Sequence, residues 1–155
     1  MNEVLFMADS SQAAREVRYV GFWRRAVAFL LDAMIGILVL GIAVLVMYGR
    51  DYPDFYEAGR TLWFDILFEL VLPTVVTLAF WRYRGATPGK ILVSARIVDA
   101  KTFGPPSMAR LAGRYFAYIV SSFFLLGFLW IAIDARKQGW HDKLAGTVVV
   151  EDEGA

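Results

Sequence analysis

Apolar positions gather into three long runs separated by polar stretches. From Ala26 to Tyr48 the chain reads AVAFLLDAMIGILVLGIAVLVMY, broken only by Asp32. About 20 apolar residues in a helix cover a hydrocarbon core, so this run predicts a transmembrane helix over 26–48. A second run, Leu62 to Trp81, has Trp63 and Trp81 near its ends, where indole rings favour the headgroup zone. It predicts a returning span over 62–81 and carries Asp65 and Glu69 one turn apart, followed by Pro73. The third run, Tyr115 to Ile133, is just long enough to cross. Its middle, Ser121-Ser122 to Gly127, permits a broken helix whose freed backbone groups must be covered by protein.

Two short β-branched segments lie among these runs. Ile91 to Asp99 reads as a strand closed by Pro105-Pro106, and Gly146 to Glu151 as a second. Neither satisfies its backbone alone, so the two are expected to pair. Charge then constrains the third run. Arg15, Arg18, Arg24 and Arg25 precede the first span, and Arg82 to Arg114 holds seven Lys or Arg against one Asp. Arg110 and Arg114 precede the third run, and Arg136 and Lys137 follow it. Basic flanks stay in the cytoplasm, which puts the N-terminus inside and favours a re-entrant or interfacial helical hairpin over 115–133 rather than a third span. The expected fold class is an all-α membrane protein, a small polytopic helical bundle with two transmembrane helices, a third apolar segment and a short cytoplasmic strand pair resembling a β-hairpin. Residues 1–20 form a cytoplasmic tail, 21–150 a single membrane domain and 151–155 an acidic tail.

Composition sharpens this picture in a few places. The chain has 155 residues and is 58% hydrophobic, against about half in soluble domains, so the excess must face lipid. A net charge of +1 conceals the segregation just described. With no cysteine, thiolate metal sites and disulfides are excluded, and a lone His141 argues against zinc or di-iron centres. No nucleophile or metal constellation of an enzyme is visible, no cofactor is implied, and nothing points to nucleic acid. The first 20 residues lack the apolar stretch of a removable signal peptide. GATPGKI lacks the spacing and the hydroxyl residue of a nucleotide-binding loop. It reads as a turn and helix start, with Thr87 as cap and Pro88 at the first helical position.

A charged side chain near the bilayer centre costs about 2.5–3.5 kcal/mol on insertion scales, so ionisable residues in the spans need a partner or a purpose. Asp32 shares a helical face with Arg25, Ala28, Gly36 and Ala43. It is either a proton- or cation-accepting carboxylate tuned by Arg25, or a tether to a basic residue of the cytoplasmic segment. Glu69 lies nearer the midplane and Asp65 nearer the outer surface. With Asp32 they mark a polar path or, in the preferred reading, one solvated end and two structural contacts. Gly113, Ala117 and Ser121, spaced by four, form a helix-packing face that suits an oligomer. His141 beside Asp142 reads as a hydrogen-bonded corner leading into the last strand.

Three segments, GFWRRAVAFLLD (Gly21 to Asp32), GATPGKILVSARIVDA (Gly85 to Ala100) and IDARKQGWHDKLAGTVVV (Ile133 to Val150), together resemble the RDD family of bacterial membrane proteins. The resemblance spans about Tyr19 to Val150. The family is named for one arginine and two aspartates. By position Arg25 matches the arginine and Asp32 the first aspartate, while the second is Asp134 or Asp142. The resemblance implies a multi-pass protein of the bacterial inner membrane with a part in transport of ions or small solutes, coupled to protons or sodium, and no enzymatic activity. Its candidate coupling residues are Arg25, Asp32, Asp134 and Asp142; Glu69 lies outside the family pattern and is a candidate special to this chain. The alternative is a membrane adaptor or assembly factor whose charged residues are structural. Expected partners are the lipid bilayer and either further copies of the chain or a larger membrane protein.

Overall fold

A computed structural model describes residues 17–49, 66–122 and 125–152, without the side chains of Val44, Met47, Tyr48, Phe68 and Glu69. Asp65, Trp63 and the expected outer loop lie outside the described residues. The chain is mostly helical, with a small two-stranded antiparallel sheet.

Helix α1, Phe22–Tyr48, starts four residues before the predicted span because the first turn closes on Gly21, whose carbonyl accepts the Arg25 amide at 3.3 Å. Among the described residues it is the one helix that alone is long and apolar enough to cross a membrane, over Phe22–Ala43. Phe29, Leu30, Met34, Ile37 and Leu38 are exposed along it, and such a surface requires lipid. The described part of the second run is different. A π-helical turn, Ile66–Val71, passes into α2, Leu72–Arg84. Pro73 has no amide hydrogen to give the preceding turn, and the Thr74 hydroxyl bonds the Leu70 carbonyl at 2.6 Å.

Next come α3 (Pro88–Leu92), β1 (Ala95–Asp99), α4 (Met108–Ser122), α5 (Leu126–Ile133), α6 (Trp140–Ala145) and β2 (Thr147–Glu151). The first strand is shorter than expected: Ile91 and Leu92 complete α3, and Ser94 turns the chain at φ 49° before the extended run begins. β1 and β2 pair as expected, antiparallel, from Ala95 opposite Glu151 to Asp99 opposite Thr147. They are not a hairpin, because α4, α5 and α6 lie between them. Residues assigned by sequence to the two tails join this sheet. Tyr19 bridges to Val150, the Val20 amide bonds the Val149 carbonyl at 3.0 Å, and Glu151 closes β2. Val20, Trp81, Ala95, Ile97, Leu111 and Val149 form the buried core. Full burial of an aliphatic side chain contributes about 1.5–3 kcal/mol, so this cluster fixes the N-terminal segment, α2, α4 and both strands as one unit.

The third apolar run breaks where its sequence permits. The axes of α4 and α5 differ by 100°, and Leu125 takes a left-handed φ of 58° before α5. A Cβ on Gly127 would lie 2.5 Å from the Ser121 Cα, so only glycine lets the two helices meet this closely. The anticipated small-residue face is correct only in part: Ala117 and Ser121 are buried, while Gly113 is exposed. The buried stripe of α4 runs through Leu111, Arg114, Ala117 and Ser121. The two ends of the bent pair return to one another, since Arg110 and Arg136 line a single groove.

Candidate functional site

The first turns of α1, the middle of α4 and the start of α6 converge on one carboxylate. Asp142 is completely buried. Its Oδ2 accepts Arg25 Nη1 at 2.5 Å and the Gly139 amide at 2.9 Å, and its Oδ1 accepts Arg114 Nη1. Arg25, 8% exposed, also donates through Nε to the Val20 carbonyl at 3.0 Å and through Nη2 to the Lys137 carbonyl at 2.7 Å. Arg114, 1% exposed, also donates to Thr147 Oγ1 at 2.7 Å, and its guanidinium carbon lies 5.4 Å from the centre of the Trp81 ring. Two cations thus face one anion in a dry setting, and the π faces of Trp81 and Tyr118 take part of the second positive charge. Burial works to raise the Asp142 pKa, but Arg114 and Arg25 outweigh it and hold the carboxyl well below its usual range.

His141 closes the cluster on its other side. The Ser121 hydroxyl lies 3.0 Å from His141 Nδ1 and accepts the His141 amide at 2.9 Å. The imidazole packs 4.3 Å from the Tyr118 ring centre. Burial, then the Arg114 charge, lowers its pKa from 6.5 to about 3, so the ring is neutral at physiological pH. Hydroxyl, imidazole and carboxylate stand side by side here, with His141 Nε2 3.5 Å from Asp142 Oδ2. Ser121 has no exposed surface, and the group ties α4 to α6.

Asp32 belongs to a separate contact. Its Oδ2 accepts the Thr87 hydroxyl and its Oδ1 the Gly89 amide, both at 2.6 Å. A Cβ on Gly89 would lie 2.8 Å from the Asp32 Cγ, so glycine is what allows α3 to close on α1. The sequence reading is corrected here in two ways. Arg25 turns to Asp142 and not to Asp32, and the partners of Asp32 are a hydroxyl and an amide, where the tether reading had expected a basic residue. Thr87 does stand at the start of α3 with Pro88 in its first turn, as read from sequence, but its hydroxyl serves Asp32 and not its own helix.

Asp134 ends α5. Its Oδ2 accepts the Arg136 and Gln138 amides at 3.1 Å each, and its other oxygen pairs with Lys143. Burial works to raise its pKa, and the Lys143 bond with the two amides lowers it further than that. Glu69 lies in the π-helical turn, with its side chain outside the described residues. Of the five candidates, the structure unites Arg25 with Asp142 and leaves Asp32 and Asp134 in other contacts. Arg114, Ser121 and Thr147 were missed by sequence reasoning. The available signal was an arginine in register with Leu111, Ala117 and Ser121 on the packing stripe of α4. Among the described residues no group of three His, Cys, Asp or Glu could hold a metal ion.

Known proteins place this geometry in a wider group. Over 74 residues the chain is 39% identical to the uncharacterized protein RP437 of Rickettsia prowazekii (strain Madrid E), a match covering 48% of this chain and 41% of that protein. The chain thus matches less than half the length of that relative. It is 29% identical over 146 residues to the uncharacterized membrane protein YteJ of Bacillus subtilis (strain 168), covering 87% of this chain and 82% of that one. No solved structure matches. The model of the RDD family matches residues 19–146; the chain belongs to the RDD family and is a membrane protein.

Proposed function

We propose that this protein is a membrane-anchored adaptor in which the arginine and aspartates of the family pattern are structural. The buried contact of Arg25 and Arg114 with Asp142 carries this reading. Both oxygens of that carboxylate are occupied, it has no exposed surface, and its charge joins α1 to the unit built from α4, α6 and the sheet. Breaking such a pair is strongly unfavourable, which suits a fixed joint and not a group that must load and release an ion. On this reading Asp142 is the second family aspartate. The N-terminus and sheet face the cytoplasm, and α4–α5 re-enters on the side from which it came. The convergence of Arg110 and Arg136 supports that topology, because a crossing helix would hold them a bilayer apart.

Asp32 favours a second reading, proton- or sodium-coupled transport. It is a half-buried carboxylate in the membrane helix, and among the described residues no Lys or Arg pairs with it. Reconstitution distinguishes the two. Purified protein in liposomes is exposed to proton and sodium gradients, with Asp32→Asn as control. The adaptor reading expects equal, background flux from both, together with saturable, stoichiometric co-purification of one membrane partner. Coupled flux abolished by Asp32→Asn would overturn it.

A further inference from the structure

Two adjoining depressions lie on the face formed by α4, α6 and the chain reversal after α5. The first is an open groove of ≈ 510 Å³ whose wall carries Lys101, Arg110, Arg136 and Lys143. The second, ≈ 260 Å³, is apolar and lined by Val120, Trp140, Leu144 and the methylene stem of Lys143. Lys143 and Leu144 border both. Two of the four cations already meet a carboxylate: Arg110 pairs with Asp99 at 2.7 Å, and Lys143 pairs with Asp134. Among the described residues the groove therefore keeps a net positive charge of about two, next to an apolar slot.

The surroundings mark a depth in the membrane. Trp130 and Trp140 stand 6.5 Å apart between ring centres, and the Lys143 ammonium lies 5.6 Å from the Trp130 ring centre. Indoles with a lysine beside them concentrate at the headgroup level. Ile133 and Leu144 project outward, 74% and 66% exposed, as side chains do that meet acyl chains.

We propose that this face binds one anionic phospholipid. Its phosphate sits among Lys101, Arg136 and Lys143, and the first methylenes of an acyl chain lie along Val120, Trp140 and Leu144. A free phosphate would leave the apolar slot unused, and a zwitterionic lipid would leave the groove's charge unanswered. The site stands whether the protein transports or docks, because neither Asp32 nor Asp142 takes part.

The test uses the full chain reconstituted in phosphatidylcholine vesicles with increasing fractions of phosphatidylglycerol brominated on its acyl chains, reading tryptophan emission. Quenching should saturate at a mole fraction well below that needed with brominated phosphatidylcholine, and Trp140→Phe, which takes the fluorophore out of the slot, should remove a large share of it. Lys101→Gln, at an exposed position, and Lys143→Gln should each raise the half-saturating fraction about five-fold, the effect of one basic residue at an anionic surface. Lys143→Arg, which keeps the charge, should leave it in place and shows that a loss in Lys143→Gln is not misfolding. Identical curves for the two lipids, or an unchanged midpoint in Lys101→Gln and Lys143→Gln, would overturn the proposal. So would complete reversal by millimolar glycerol phosphate, which would assign the site to a soluble anion.

Discussion

Replacing Asp142 by Asn keeps the shape of the side chain and removes the anion between Arg25 and Arg114. Both guanidiniums then stay buried, at 8% and 1% exposure, facing each other across a neutral amide. The amide can still accept one of them but turns its own N–H groups toward the other. Removing one partner of a buried pair costs about 3–5 kcal/mol. For a chain of this size each kcal/mol moves the unfolding temperature by about 2–4 °C, so the expected fall is about 6–20 °C. Thermal unfolding of the detergent-solubilised protein, followed by tryptophan emission, reads this directly, since Trp81 lies under Arg114. A second substitution separates lost attraction from stranded charge. Arg114→Met in the Asp142→Asn background removes one orphaned cation and should recover about 1–4 kcal/mol, because an apolar replacement for a buried ion is often stabilising. A fall below about 2 °C, or no recovery in the double variant, would refute the account of this cluster.

Further predictions rest on separate contacts. Arg25→Lys keeps the charge but cannot reach Val20, Lys137 and Asp142 together, and should lower stability by about 1–3 kcal/mol in the same assay. His141 has its folded pKa depressed from 6.5 to about 3, so between these values the unfolded chain binds a proton that the folded one does not. Stability should be fully present above pH 6.5 and fall by about 1.4 kcal/mol per pH unit below it. His141→Asn should flatten that slope, and an unchanged slope would show that another group is responsible. Asp142, also depressed, adds a loss only below its ordinary value of 3.8. Gly89→Ala places a methyl group 2.1 Å from the Ala28 carbonyl oxygen as well as against the Asp32 carboxyl and should cost about 3 kcal/mol or more by overpacking. Ser substituted at Gly21, where a Cβ would meet nothing within 4 Å, should leave the unfolding temperature unchanged.

Much of this arrangement was legible in the sequence for a local reason. The membrane helix follows from an apolar run, the bend between α4 and α5 from Ser and Gly placed in the middle of another, and the start of α3 from Thr87-Pro88. The pairing of β1 with β2 followed from the need of two isolated strands for backbone partners. The first strand was drawn too long because the β-branched signal at Ile91 is overridden by a helix already under way from Pro88. The site was harder to read. Arg25 and Asp142 are 117 positions apart, and no periodicity links them. Burial of Arg114 depends on three elements closing around it. Asp32 was recognisable as a residue that must be sheltered, but its shelter is a hydroxyl and a backbone amide, and neither carries the charge for which a sequence can be searched.

The N-terminal end of α1 is held by three attachments. Arg24 donates to the Val93 carbonyl at 2.6 Å and pairs with Glu151, Arg25 is bound to α6, and Asp32 is clasped by the start of α3. Fixed at points spread over some two turns, the rod can neither spin about its axis nor slide along it without carrying the strands with it. Any tilt of the rest of α1 is therefore passed on to the sheet as a lever passes on the movement of its handle.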